Sequence, residues 1–483
     1  MFQQFSGVTD LKSILFSVAM IPILYIYGMK KTAIILLLLP FLSQAQPDPD
    51  SLFIKKISDD ILSNGKAYEL LRQLTKEIGG RLSGSPQFAK AVSWGKFTME
   101  MIGPDQVFLQ KCLVPHWERG GIDSASVISL NNQTIYKKLD VLALGNSIGK
   151  GTVSAPLLAV ADFAELEKRR DSVAGKIVYF NKGFDPTNID PGVSYGQTGI
   201  YRRNGPSMAA KMGAVGVMIR SLTESYANDP HTGAMTYNDS FPRIPAIAVG
   251  PRDADELWQL SRQSKLIVRM STHGKFLPDT IGHNVVGELT GIEFPSEYIT
   301  VGGHLDSWDV NEGAHDDGAG VVQTIEVMRV LKALGYKPKR SIRFVLFANE
   351  ENGLRGGTEY AKEAVAKKEK HVFALESDAG GFTPRGFSVS GLTSAQLERM
   401  RSWLKWLQVY GVTEIATGGG GADISPLNRS MSTPVCGFEP DPQRYFDYHH
   451  ARTDVFENVN KRELLLGAVN MAALIYLVDK YGL

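Results

Sequence analysis

The chain has 483 residues, 43% of them hydrophobic and 21% charged; this globular composition excludes a disordered or collagen-like chain and, at about 150 residues per domain, points to two or three domains. With 52 basic and 51 acidic residues the net charge is +1, so composition carries no footprint of a nucleic-acid partner. The only cysteines are Cys112 and Cys436. They exclude a disulfide scaffold and a cysteine-cluster metal site, so any metal must be held by His, Asp and Glu.

Two apolar stretches, residues 11–27 and 33–42, flank Met29-Lys30-Lys31. Read from Met29, a basic start leads to an apolar run of about ten residues and then to Ser43-Gln44-Ala45 before Gln46, the pattern of an export signal with a small-residue cleavage site. Residues 1–45 are therefore expected to be an export signal, with 1–28 a mis-assigned start, and the mature chain periplasmic or secreted. The rival reading joins both stretches into a membrane anchor, although the first falls short of the roughly 20 apolar residues that span a bilayer. No later run reaches about 18 apolar residues, so no membrane insertion of the mature chain is expected.

In the mature chain, 46–56 reads as a loose Pro/Asp/Ser leader. Leu70, Leu71, Leu74 and Ile78 recur at helical spacing and predict a helix over 66–78. Gly79-Gly80-Arg81-Leu82-Ser83-Gly84 stops it, a second helix follows over 86–101, and 107–114 reads as a strand. From 118 to 275 short β-rich runs dominate, at 125–130, 141–144, 157–160 and 176–180, with one helix-to-strand unit over 206–219. This segment holds no catalytic set and reads as an inserted domain. From 284 onward strands (297–302, 341–347, 371–375, 434–438) alternate with helices (319–334, 354–367, 395–409, 462–478). The expected fold is thus α/β, a mainly parallel central sheet with helices on both faces, built from 46–117 and 276–483 and interrupted by the β-rich insertion 118–275.

Metal-competent residues gather at strand ends, where catalytic groups of such sheets collect. His304-Leu305-Asp306 ends one strand and His315-Asp316-Asp317-Gly318 opens the next helix. Glu350-Glu351, Glu376-Ser377-Asp378 and Tyr448-His449-His450 with Asp454 follow three further strands. Singly, each motif is common in turns, helix caps and solvated faces. Together they place several acids side by side, which is strongly destabilising without a cation. Oxygen and imidazole donors without thiolate suit Zn²⁺, with Mn²⁺ or Co²⁺ as substitutes.

In order and spacing, these motifs resemble the co-catalytic dizinc exopeptidases, the family of bacterial aminopeptidases and glutamate carboxypeptidases. The resemblance covers essentially the whole mature chain, and the insertion resembles the protease-associated domain that such enzymes carry. It implies two zinc ions, one held by His304 and Asp378 and the other by Glu351 and His450, with Asp316 bridging. It also implies Glu350 as general base toward a water between the ions, Asp306 orienting the His304 ring, and Asp317 supporting the bridging turn. His450 rather than His449 is the expected ligand, because the family places its histidine four residues before an acid and Asp454 fits. His449 would then face substrate. Asp423 in the loop Gly418-Gly419-Gly420-Gly421-Ala422-Asp423, with Glu439 and Tyr448, are further substrate-binding candidates, and the carboxylates suit a free α-amine. His315 and His371 are expected to be structural.

The implied activity is hydrolysis of dipeptides or of terminal residues of short peptides, by dipeptidase, aminopeptidase or carboxypeptidase action, in a homodimer. Two rivals remain open: a single-zinc glutaminyl cyclase and a non-catalytic receptor-like binding protein on the same fold.

Overall fold

Along the central strands, successive side chains enter different cores. Phe344 and Leu346 pack with Ile299, Val301, Phe373 and Leu375, whereas Val345 and Phe347 pack with Val286 and Ala374. A strand points neighbouring side chains to opposite faces, so an unbroken apolar run such as 341–347 fits only a sheet covered on both sides. The helices Pro49–Asn64, Ala319–Ala333 and Lys461–Tyr481 fill one core, and Arg355–Lys367 with Ser425–Met431 the other.

The computed structural model describes residues 48–128 and 135–483. The expected export signal, residues 1–45, lies outside the described residues. The eight-stranded main sheet has the order Gln106–Glu118, Lys275–Leu289, Arg340–Phe347, Phe294–His304, Lys370–Glu376, Val435–Pro440, Pro384–Ser390, Glu414–Thr417. The four strands from Arg340–Phe347 to Val435–Pro440 run parallel. On one side Lys275–Leu289 and Gln106–Glu118 add antiparallel, and on the other Pro384–Ser390 does so before a last parallel strand. The sheet is therefore mixed, with parallel pairing concentrated in its centre.

Other expectations also change. Residues 49–64 form a helix rather than a loose leader: Asp48 caps it by accepting from the Asp50 N–H, and Pro49 occupies its first turn. The expected helix over 395–409 breaks into Ser394–Ser402, Leu404–Leu407 and a closing 3₁₀ turn. The strand Pro384–Ser390 escaped the sequence reading because it opens on proline and carries an internal glycine, and Glu414–Thr417 because it is only four residues long beside Gly418. The helix Lys461–Tyr481 is long and apolar enough to cross a membrane, but 83% of its apolar window is buried inside the protein, where it serves as a core helix.

A second eight-stranded sheet lies between Ser124 and Thr272. The chain enters it from Gln106–Glu118 and leaves through Lys275–Leu289, which pair with each other. Its strands Gly151–Val160, Ile177–Phe180, Gly216–Arg220 and Ala246–Val249 are parallel and again buried on both faces. The segment is accordingly α/β rather than simply β-rich. Its helix Pro191–Ala210 begins well before the expected 206; four glycines between 192 and 205 hide it from propensity.

Both sheets belong to one compact body, Asp48–Leu483. Trp308, wholly buried in the loop after His304, stands edge-on to Trp117 at 6.4 Å. It also fills the space above Gly145, whose hypothetical Cβ would lie 1.8 Å from the indole. Gly145→Ala is expected to cost about 1–3 kcal/mol through overpacking, seen as a Tm several degrees lower, while Gly419→Ala, with nothing within 4 Å, leaves Tm nearly unchanged. Equal Tm values for the two variants would refute a tight junction at this point.

Candidate metal centre and active-site cavity

The carboxyl ends of the parallel strands and the loops that follow them bring the predicted motifs together. His304 Nε2 lies 3.1 Å from Asp316 Oδ1 and 3.3 Å from Asp378 Oδ1. His450 Nε2 lies 3.3 Å from Asp316 Oδ2 and 3.1 Å from Glu351 Oε2. Asp316 thus faces one histidine with each oxygen. His449 Nε2 is 3.7 Å from the same Asp316 Oδ2, and its ring stacks on that of His450 at 3.6 Å. Both histidines reach the centre, with His450 the nearer and alone in contact with Glu351.

Local backbone explains how these side chains are aimed. Asp454 accepts from the N–H groups of His315 (2.7 Å) and Asp316 (3.1 Å), fixing the bridging turn. Asp317 accepts from the His304 N–H and the Gly320 N–H, both at 2.9 Å, and so ties the strand end to the next helix. Asn349, Leu354 and His450 hold positive φ values of 65°, 54° and 63°. Such conformations cost non-glycine residues of order 1 kcal/mol each and cluster at functional sites. Asn349 and Leu354 bracket the Glu350–Gly353 turn, which presents two adjacent glutamates differently: Glu351 is buried, whereas Glu350 is half-buried on the cavity wall.

Asp306 does not orient the His304 ring with its carboxylate. Its backbone carbonyl meets His304 Nδ1 at 3.0 Å, whereas its Oδ1 stays 3.8 Å away. The carboxylate accepts instead from the Glu350 N–H (3.0 Å) and Ser83 Oγ (3.2 Å), so it positions the Glu350 turn.

Burial is the first electrostatic fact of the site. It pushes Glu350 up to about 8, helped by Asp378, Asp316 and Asp306. It likewise raises Glu351 far above the carboxylate range, with Asp316 next in effect, and lifts Glu376 to about 8 and Asp454 to about 7. Burial lowers His449 and His450. Asp316 is the exception: burial would raise it, but the His304, His450 and His449 imidazoles beside it hold it well below the usual range.

The donor set fits metal. Asp316 Oδ2, Glu351 Oε1 and Asp378 Oδ1 are buried and make no hydrogen bond. Two groups, His304/Asp316/Asp378 and Asp316/His449/His450, each offer ligand atoms within 4.8 Å of one another and share Asp316. Burial would lower His304, but Asp378 and Asp316 hold it well above its ordinary range; dications would offset the burial penalty on every acid around them.

The centre opens on a cavity of about 680 Å³. Asp316, Glu350, Glu351, Asp378, His449 and His450 line it, as does Glu439. Asp423 and Tyr448 do not. Asp423 is fully buried beside Glu376, because Glu376 accepts from the backbone N–H groups of Asp423 and Ile424, and a Cβ at Gly421 would collide with its carboxyl. The glycine run is thus a close-packed turn there. Tyr448 stacks on His315 at 5.3 Å; Tyr445 and His449, four residues apart on one helical face, take the cavity side. His315 packs on Phe382 and His371 bonds Thr300 and Glu369, both within the protein fabric.

The insertion supplies wall residues that the sequence reading missed: Asn146, Asp190, Tyr195, Arg202 and Arg203. Arg202 is 5% exposed; its Nη2 donates to Tyr195 OH at 2.6 Å and its Nη1 stands 3.2 Å from His450 Nδ1. Its Nε is buried without a partner, and no carboxylate pairs with it among the described residues. Nothing in the local sequence flags it, since it sits in a glycine-rich helix far from every acidic motif.

Comparison with known proteins agrees with this geometry. The profile described as peptidase family M28 matches residues 284–475. Carboxypeptidase Q of Mus musculus is 34% identical over 416 residues, covering 86% of this chain and 85% of that protein; the Homo sapiens protein is 33% identical over 419 residues, covering 86% of each. The crystal structure of a peptidase M28 precursor from Shewanella amazonensis SB2B is 32% identical, with a TM-score of 0.83 over 89% of this chain and 96% of that one. The zinc aminopeptidase BSAP of Bacillus subtilis, at 21% identity and a TM-score of 0.60 over 85% of this chain and 94% of that one, shares the fold.

The raised carboxyls predict how metal and pH act on stability. An acid whose folded pKa lies above its unfolded value stabilises fully below the unfolded value, and that contribution is lost as pH rises through the folded pKa. For Glu350, Glu376 and Asp454 the loss runs from the free carboxylate range near pH 4 and is complete by about pH 7 to 8. His449 and His450, lowered by burial, act in the opposite sense, but only below about pH 6.5. Tm of chelator-treated protein is therefore expected to fall from about pH 6.5 to pH 8 and then level off, while that of metal-loaded protein stays nearly level. Parallel Tm curves would refute the coupling of these acids to metal.

Proposed function

The chain belongs to peptidase family M28, and we propose that it is an exported dizinc exopeptidase acting on dipeptides or on the terminal residues of short peptides. The observation that carries this reading is Asp316, whose two oxygens face separate imidazole–carboxylate sets. His304 and Asp378 would hold one zinc ion and His450 and Glu351 the other, with Asp316 shared. Bound zinc supplies Lewis acidity toward the scissile carbonyl and the attacking water.

The remaining chemistry belongs to the chain. Glu350 stands on the cavity wall with its backbone pinned by Asp306. Its carboxylate takes the proton of the attacking water and delivers it to the leaving amine. His449, neutral through burial, lines the cavity beside Asp316 and is placed to donate to the carbonyl oxygen as charge develops there. Residues 118–275 act as a protease-associated-type domain whose helix Pro191–Ala210 closes one wall. The wall carries cationic Arg202 and Arg203 and acidic Asp190 and Glu439. These suit the α-carboxylate and α-amine of a short peptide and disfavour a long chain. Segments 46–117 and 276–483 form the peptidase domain, and residues 1–45 the export signal.

The test is a comparison of free, amino-blocked and carboxy-blocked dipeptides with zinc-loaded protein, alongside metal analysis. Two zinc ions per chain and preference for free dipeptides are expected; one zinc ion with cyclisation of amino-terminal glutamine would favour the cyclase reading. Glu350→Gln should keep both ions and lose about 10²–10⁴-fold in kcat, whereas Glu351→Ala should lower zinc content toward one per chain. Near-normal turnover in the first variant would overturn the role of Glu350 as base, and unchanged stoichiometry in the second would overturn that of Glu351 as ligand.

A further inference from the structure

Behind the acidic centre lies a buried cation that the reaction does not use. Arg81, in the glycine-rich turn 79–84, has no exposed surface. Its Nε donates to Leu305 O (2.6 Å), Nη1 to Glu312 O (2.7 Å) and Nη2 to Gly313 O (3.1 Å), while its backbone N–H donates to Ser307 Oγ (3.2 Å). All four partners lie in the one loop that joins His304 to Asp316. Gly80 rests on the same loop, where a Cβ would come within 2.8 Å of Asn311 O.

Bonded only to neutral oxygens, a buried guanidinium gives up its hydration with no counter-ion in contact, an expensive arrangement. The compensating charges stand one layer away: Asp306 accepts from Ser83 Oγ, two residues on from Arg81, and Asp454 accepts from the His315 and Asp316 N–H groups at the far end of the held loop; burial lowers Arg81 to about 10, and Asp454, Asp306, Asp317 and Asp316 act against that loss. Arg81 therefore touches the loop and, through it, balances the acids that the loop and its neighbours carry.

We propose that Arg81 is the built-in counter-ion of the acidic metal centre, balancing Asp306, Asp316, Asp317 and Asp454 and clamping the His304–Asp316 loop in its ligand-presenting form before metal arrives. The inference rests on the dizinc reading. Its consequence has a definite sign. A fixed positive charge supports clustered carboxylates most when no other cation is present, and it repels incoming dications. Removing it should weaken the metal-free protein far more than the loaded one. A role confined to packing or hydrogen bonding would weaken both alike, because the loop is the same in both.

Arg81→Met and Arg81→Lys test this through Tm with and without chelator and through zinc Kd measured against a chromophoric chelator. For Arg81→Met, Tm should fall in both forms through the lost carbonyl bonds but much further in the metal-free one, with zinc binding about tenfold tighter, as loss of a nearby like charge requires. Arg81→Lys keeps the charge but cannot reach three carbonyls at once; both Tm values should drop together and the wild-type zinc Kd persist. Equal losses in both forms of Arg81→Met, or weaker zinc binding, would overturn the proposal. If Arg81→Met unfolds on chelation, that is the expected result in its strongest form, provided Arg81→Lys does not; collapse of both overturns it. Should wild-type protein take up no zinc, the dizinc reading falls on its own. A metal-free Arg81→Lys more stable than Arg81→Met would still support the counter-ion role, and equal stability would refute it.

Discussion

Seven carboxyl groups, Asp306, Asp316, Asp317, Glu351, Glu376, Asp423 and Asp454, are buried at or beside the carboxyl edge of one sheet, and Glu350 joins them at the cavity wall. Like charges held this closely in a poorly solvated place repel one another and lose hydration, and either effect alone opposes folding. The local structure answers this cost in three ways. Backbone N–H groups are turned onto Asp306, Asp317, Glu376 and Asp454. Imidazoles are set against Asp316 and Asp378. A guanidinium is buried behind them. What is left unanswered, the unbonded oxygens of Asp316, Glu351 and Asp378, marks the place where cations belong.

Rigid surroundings make such an arrangement possible. Parallel strands packed on both faces deliver His304, Glu350, Asp378 and the 440s loop to one edge, and the close approaches at Gly80, Gly303 and Gly320 leave the connecting loops no room to relax. At Gly303 an added Cβ would sit 2.5 Å from Asp317 Oδ2, and at Gly320 1.9 Å from Ser377 O. The glycines permit backbone-to-backbone contact where the ligands must converge. The inserted sheet completes the enclosure: Trp308 locks it to the loop after His304, and its helix brings Arg202 to the far side of His450.

Much of the centre was legible in the chain itself, and for a physical reason. A ligand at a strand end is announced by the apolar run before it, and four such runs lead into segments that carry His, Asp or Glu, with His315-Asp316-Asp317 opening the helix that follows the first. The helix read over 319–334 matches Ala319–Ala333 to one residue, and the strand read over 297–302 lies inside Phe294–His304. What escaped was governed by contacts distant in sequence. Asp306 lies two residues from His304, a spacing that suits either its carbonyl or its carboxylate to the ring, and only the packed turn at Glu350 decides that the carboxylate goes elsewhere. The glycine run before Asp423 reads as an open loop, yet Glu376 draws it into a close-packed turn. The 46–56 stretch reads as a leader because proline and aspartate are poor in helix interiors, although both are favoured at a helix start.

Residue identity and order by themselves determined the class of chemistry. With no usable thiolate and with acids and histidines at successive strand ends, the chain is committed to oxygen and imidazole donors and to membership in the M28 peptidases. Tertiary structure alone decided how those donors share Asp316, that His449 and His450 both reach it, that Tyr445 rather than Tyr448 faces the cavity, and that the insertion contributes Arg202 and Arg203 to its wall. The division has a simple cause. A strand or helix end is written in neighbouring residues, whereas the charge balance of a buried site depends on which distant segments pack around it, and that is set only when the chain has folded.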